Sequence, residues 1–221
     1  SDNNEYIEVP LDPNLTPQQN SQKYYKKYMK AKNTFAATSQ QLDETLKELS
    51  YLESVQLYLE NCNSPQEIDD IKQELAEQGY LSLKKKKNQN KQDKPLPPHH
   101  FKSTDGFDIF VGKNNKQNDR LTLRQSSAND IWLHTRNTPG SHVIIKSNGA
   151  QVPDNTLLEA AMLAAFFSKA KFSSNVPVDY TLVRNVKKPN GAKPGMVIYE
   201  NFKTIFVTPQ ENVINTLKIK E

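Results

Sequence analysis

The stretch DIWLHTRNTPGSHVIIKSNGA, Asp130–Ala150, sets the reading of the whole chain. Two runs, DIWLHTR and SHVIIK, flank a Pro139-Gly140 turn, and SNG supplies a second turn. Short alternating runs rich in β-branched and aromatic residues, bounded by turn formers, read as strands. Successive side chains of a strand point to opposite faces. Asp130, Trp132, His134 and Arg136 therefore share one face, and Ile131, Leu133 and Thr135 the other. The second face predicts a core. The first carries the only Trp of the chain beside an imidazole and a guanidinium. Three readings compete for it: an active site, a surface that grips RNA, and a packed hairpin.

The same pattern extends outward from this stretch. From Phe101 onward GFDIFVG, DRLTLR, VDYTLVRNV, GMVIY and KTIFVTP read as further strands between Asn, Gly and Pro turns. One segment breaks the alternation: TLLEAAMLAAFFSKA, residues 156–170. Leu158, Ala161, Met162, Ala165 and Phe166 form one helical stripe, and Leu157, Ala160, Ala164 and Phe167 a second. A helix apolar on most sides is buried, and Thr156 with Glu159 reads as its capping box. Strands on either side of one buried helix predict an α+β domain, a compact, mainly antiparallel sheet with a central helix.

The N-terminal part is different in kind. Between Gln18 and Asn61 there is neither Pro nor Gly, and Tyr28, Phe35, Leu42 and Leu49 recur seven apart, flanked by Tyr25, Leu46, Leu52 and Leu59. This predicts one long coiled-coil helix, reaching about 65 Å at 1.5 Å per residue. Its seam requires a partner helix, from a preceding part of the protein or from another chain. NSPQE then gives Ser64 as N-cap, Pro65 at the first helical position and Glu67 as capping-box partner. Ile68, Ile71 and Leu75 read as the buried face of this second helix, and Gly79 ends it. KKKKNQNKQDKPLPPHH, residues 84–100, reads as a basic flexible linker. The predicted organisation is thus a helical segment over 1–83, a linker over 84–100 and an α+β domain over 101–221.

Charge is segregated along these segments. The net of +4 is made of −7 over residues 1–83, +5 over 84–100 and +6 over 101–221. A basic half beside an acidic one suggests an anionic partner for the former. Mean hydropathy is −0.78, and no apolar run approaches the roughly 18 residues of a membrane span. The opening SDNNEYIEVPLDP has no signal-peptide character and no Met, and reads as a cut end with the true N-terminus unseen. Cys62, the single cysteine, excludes an internal disulfide and points to a reducing compartment such as the cytoplasm.

No constellation for catalysis or metal binding emerges. Ser141 and His142 are adjacent, so on a strand they face opposite ways, and PGSHV lacks the glycine that a nucleophile elbow needs after its serine. His99 and His100 sit in the linker, and His134 and His142 have no acidic or thiol neighbour at ligand spacing. No phosphate loop or dinucleotide fingerprint is present. The expectation is a non-enzyme without cofactor or metal. What the sequence does carry is cations and amides on turns. GKNNKQNDR brings Lys113, Asn114, Asn118 and Arg120 together, with Arg124 just after. RNVKKPNGAKPG brings Arg184, Lys187, Lys188 and Lys193 among glycines, and His134, Arg136 and His142 surround the Pro139-Gly140 turn. Such groups suit phosphate and sugar contacts. Trp132 and the β-branched run read as structural, and the basic residues as RNA-facing.

Taken together, GKNNKQNDRLTL, DIWLHTRNTPGSHVII, SSNVPVDYTLVRNVKKPNGAKPGMVIY and TIFVTP resemble the NFACT-R domain of the NFACT family, the bacterial fibronectin-binding protein A or RqcH group. EVPLDPNLTPQQNSQKYYKKYMKAKN and LAEQGYL resemble the family's middle and coiled-coil region, so the likeness covers nearly the whole chain. The resemblance implies the C-terminal part of such a protein. It also implies binding of tRNA and the large ribosomal subunit in ribosome-associated quality control, supporting C-terminal alanine tailing of stalled chains. The family's older name implies an alternative, a surface adhesin for host fibronectin or fibrinogen.

Overall fold

The computed structural model describes residues 7–82 and 96–219. The chain divides into two compact units, Ser1–Glu48 and Leu49–Glu221. The division falls inside helix α1 (Pro17–Asn61) rather than at the predicted segment edges. Residues 84–95 of the predicted linker lie outside the described residues.

In the first unit, α1 is started by a reciprocal cap. The Gln19 side chain accepts from the Thr16 N–H at 2.8 Å while the Thr16 hydroxyl accepts from the Gln19 N–H at 3.3 Å. Pro17 stands at the first helical position, where its missing N–H costs nothing. Asn20 is buried and pins the preceding turn, accepting from the Asp12 N–H at 2.9 Å and donating to the Asp12 carbonyl at 3.0 Å. The predicted seam is uncovered here: Tyr25, Tyr28, Phe35, Leu42 and Leu46 are between 53% and 76% exposed.

In the second unit, α1 buries a face other than the seam. Tyr51, Val55 and Tyr58 are buried while Leu49, Leu52 and Leu59 stay exposed. Against this face folds α2 (Pro65–Glu77), capped by Ser64, whose side chain accepts from the Glu67 N–H. Ile71 is buried, but Ile68, expected in the same face, is exposed. Gly79 at φ +82° supplies the left-handed turn that closes the helix.

The α+β expectation holds. The elements that follow are β1 (His99–Lys102), β2 (Asp108–Val111), α3 (Asn115–Leu123), β3 (Ile131–Thr135), β4 (Val143–Ile145), α4 (Asp154–Phe166), β5 (Val176–Leu182), β6 (Val186–Lys187), β7 (Ile198–Tyr199), β8 (Lys203–Val207) and α5 (Glu211–Leu217). Six strands form one sheet in the order β1-β2-β4-β3-β5-β8, every pair antiparallel, and β6 pairs with β7 separately. The front face packs on α4 and α5: Ile109, Leu133, Val143, Ile145 and Val178 are fully buried with Leu163 and the alanines of α4. On the back face Trp132 and Ile144 are fully buried against Leu121 of α3, Val183 and Val186. Strand β3 is therefore enclosed on both sides.

Other local expectations are corrected. DRLTLR is the end of helix α3 and not a strand; Leu121 and Leu123, two apart, mimic alternation, but Leu121 is buried while Leu123 is exposed. The Asn114 side chain starts this helix by accepting from the Gln117 N–H at 2.8 Å. His99 and His100 belong to β1, opposite Val111 and Phe110, and not to a linker. Thr156 and Glu159 do not cap α4, which begins after Pro153; instead Thr156 donates to Asp105 at 2.7 Å and Glu159 accepts from the Thr104 N–H and hydroxyl.

Leu163 sits at the centre of the front core, so Leu163→Ala is expected to cost about 2–5 kcal/mol. Urea unfolding of parent and variant measures this, and an unchanged midpoint would show that α4 is not the core.

Candidate nucleic-acid interface

The residues singled out from the sequence separate into three groups. The first is interior. Asn118 is buried, its amide oxygen accepting from the His142 N–H at 3.1 Å and its amide nitrogen donating to the Tyr58 hydroxyl at 2.7 Å. The Tyr58 hydroxyl in turn donates to the Gly140 carbonyl at 2.8 Å. Asn114 is buried as the α3 cap. His142 is 2% exposed, its Nδ1 2.8 Å from the Thr122 hydroxyl. His134 stacks on Trp132 with ring centroids 5.8 Å apart, meets His142 edge-on at 5.6 Å, and lies 3.2 Å from the Gly140 carbonyl. Burial lowers the pKa of both imidazoles, and for His142 the neighbouring His134 adds to the effect. Asn118 and His142 hold layers together and Asn114 caps its own helix, and all three are buried. The Trp132 indole N–H is enclosed with no hydrogen-bond acceptor among the described residues, against the Tyr199 ring at 4.7 Å.

The second group is cations already engaged. Lys113 pairs with Glu67 at 3.1 Å. Lys188 pairs with Asp119, which also accepts from the Gly195 N–H. Lys193 donates to the Tyr80 hydroxyl at 2.7 Å and lies over the Tyr51 and Tyr80 rings. These interactions tie the helical hairpin and the 188–195 loop to the sheet. Arg136 is held by Asp179, N to O 2.8 Å, and lies 5.2 Å from the Phe202 ring. Asp179 is 1% exposed and accepts from the Tyr199 hydroxyl and the Thr204 hydroxyl, each at 2.8 Å. Burial, followed by the hydrogen bond to Asp179, pushes the Tyr199 phenol up to about 12.

The third group is the remaining surface. Arg124, Arg184 and Lys187 are exposed and, among the described residues, make no ion pair; Arg120 is half-buried in the field of Asp70. Arg120 and Arg124 belong to α3 and its C-cap, while Arg184 and Lys187 belong to the segment that packs beside α3 on the back of the sheet. The backbone N–H of Arg184 donates to the Ala128 carbonyl at 3.2 Å, fastening that segment to the loop after α3. Asp179, Tyr199 and Phe202 were not singled out from the sequence. A carboxylate in the middle of VPVDYTL was the available signal, since a charge inside a central strand needs buried partners.

An antiparallel sheet with a buried helix on its front and a cation-bearing layer on its back defines an α+β module joined to a helical hairpin. Residues 1–94 match the NFACT N-terminal and middle domains, and residues 98–201 match the NFACT protein RNA binding domain. The chain is 49% identical over 214 residues to the Rqc2 homolog RqcH of Bacillus subtilis (strain 168), covering 96% of this chain and 37% of that protein. It is 43% identical to the Rqc2 homolog RqcH of Streptococcus suis (strain 05ZYH33), covering 96% of this chain and 38% of that protein. It is also similar to the solved C-terminal structure of the fibronectin/fibrinogen-binding protein from Streptococcus suis, with TM-score 0.82 and 41% identity over 91% of this chain and 80% of that one. The chain belongs to the NFACT family. It spans little more than a third of the length of these curated relatives.

The interior group governs stability. Asn118→Ala leaves the buried His142 N–H without its acceptor and should cost about 1–3 kcal/mol in urea unfolding. The buried imidazoles also set a pH dependence. Their folded pKa values lie below the ordinary 6.5, for His99 at about 4, where burial and then the Lys113 charge disfavour the imidazolium. Unfolding therefore takes up protons, so stability is full above about 6.5 and falls as pH drops towards those values. The buried Glu74 carboxyl, raised by desolvation, acts in the opposite sense, from its ordinary 4.5 upward to its raised folded value. Below about pH 6.5 each histidine adds a slope of up to about 1.4 kcal/mol per pH unit. Unfolding free energies of parent and His142→Gln across this window should show a flatter slope in the variant.

Proposed function

We propose that this chain is an RNA-binding part of a ribosome-associated quality control factor, engaging tRNA and the large ribosomal subunit and supporting C-terminal alanine tailing of stalled nascent chains. The observation that carries the reading is a coincidence of place. The segment matching the NFACT protein RNA binding domain, residues 98–201, is the one that sets Arg124, Arg184 and Lys187 on the back layer of the sheet with no ion pair among the described residues. Phosphate binding needs cations that are not already neutralised, and these three qualify where Lys113, Lys188 and Arg136 do not. The chain would act by binding and positioning, with bond formation left to the ribosome, and would work in the cytoplasm. The exposed seam on Tyr25, Tyr28, Phe35, Leu42 and Leu46 would take a partner helix from the remainder of the protein. Among the described residues no helix is long and apolar enough to cross a membrane.

The test is binding of tRNA across a salt series by the parent and by Arg124→Ala/Arg184→Ala/Lys187→Ala. Phosphate-driven affinity falls steeply with salt, and the triple variant should bind more weakly, with a slope reduced by about one for each phosphate left without its cation. A Streptococcus suis relative is titled a fibronectin/fibrinogen-binding protein, so fibronectin is assayed alongside. Tight fibronectin binding in high salt, with no tRNA binding in low salt, would overturn the proposal.

A further inference from the structure

We infer that the open back face at the β8 edge of the sheet is a stacking surface for unpaired RNA bases; this rests on the RNA-binding reading above and assigns it a second contact site. Cross-strand register defines the face. His134 stands opposite Asp179 and Asp179 opposite Thr204, while the Arg136 N–H donates to the carbonyl of Pro177, which stands opposite Phe206. Side chains paired across an antiparallel ladder point to the same side, so Arg136, Thr204 and Phe206 share the face that buries Trp132. Phe202, four residues before Phe206, falls on that side by alternation. Over Trp132 this face is closed by Leu121, Val183 and Val186; at β8 the Tyr199 ring meets Phe202 edge-on at 5.2 Å, and the face is open beyond it. Phe206 is 58% and Phe202 44% exposed, whereas Val207, facing front, is 4% exposed.

Exposed phenylalanines on an unpaired edge strand are an aggregation liability that sheet proteins otherwise avoid. Here they stand beside a guanidinium that cannot wander. Arg136 is clamped by Asp179 and Thr204 and lies over Phe202, so a planar cation and one aromatic ring are held together, with Phe206 exposed on the same face. Phe202 and Phe206 are about 13 Å apart at roughly 3.3 Å per residue, too far for one base to touch both. That spacing suits a short run of nucleotides with Arg136 between the two stacked bases. Charge selects the same occupant. Residues 101–221 carry a net +6, and the neighbouring strand pair places Lys187 opposite Ile198, four residues before Phe202. Base faces are accessible only where RNA is unpaired, because a duplex presents phosphates and groove edges instead.

Anisotropy with a short unpaired oligo-adenylate and with an RNA duplex of equal length tests this on the whole chain. Phe202→Ala/Phe206→Ala should weaken single-strand binding roughly tenfold or more, leave duplex binding and its salt slope unchanged, and melt like the parent. Parental single-strand affinity in the double variant would overturn this inference alone, as would equal losses on both RNAs. A parent that binds neither RNA at low salt would bring down the RNA reading itself.

Discussion

The side-chain amide of Asn118 ties its own helix to two other parts of the second unit at once. Its oxygen takes the backbone N–H of His142 in the stretch leading into β4, and its nitrogen reaches the Tyr58 hydroxyl on α1, while its own helix lies across the back of the sheet. In a low-dielectric interior each of these bonds is strong and each missing one is expensive. The surroundings are shaped to admit it: a Cβ on Gly112 would come within 2.0 Å of the Asn118 carboxamide oxygen. Asn115, one turn earlier, repeats the device. Its amide donates to Ser54 at 2.9 Å and to the buried Glu74 at 3.1 Å, and a Cβ on Gly195 would sit 2.4 Å from its oxygen. Hairpin, α3 and the 188–195 loop are thus joined by amides that only glycine neighbours leave room for.

Glu74 extends this junction. Its carboxylate accepts from the Tyr51 hydroxyl at 2.9 Å, from Asn115 and from the Lys116 N–H at 3.2 Å, so a buried acid is almost fully satisfied without a direct counter-ion. Surface pairs such as Lys116 with Glu77 and Lys169 with Glu53 add little by comparison. The second half of α1 is thereby committed to the sheet module. The acid-rich hairpin and the base-rich domain neutralise one another where they touch, which is why several lysines that look available in the sequence are not.

Periodicity carried most of the fold. β3, β4, α1, α2 and α4 were legible because each repeats its apolar residues at the period of its own structure. α3 was not, because Leu121 and Leu123 fall two apart and the decisive signal was the Asn114 cap rather than the leucines. β1 was hidden behind Pro97 and Pro98 at the end of a basic run, though His99, Phe101 and the exposed positions between them do alternate. On α1 the leucine seam is the more regular repeat, yet the buried face is Tyr51, Val55 and Tyr58. Of the cationic segments, GKNNKQNDR, read as a turn, is mostly helix α3, and pairing is in any case a tertiary property. Whether Lys188 meets Asp119 or solvent depends on an approach in space that local sequence does not encode.

The enclosure of Trp132 has an optical consequence. It is the only indole in the chain, fully buried between β3 and the α3 layer, beside Tyr199, His134 and His142. Its emission should be blue-shifted while the back layer is seated, and should move to the red when water enters that layer. The front core around α4 contains no indole, so loosening there would leave the emission largely untouched. The protein thus carries an intrinsic spectroscopic reporter of one seam and not of the other.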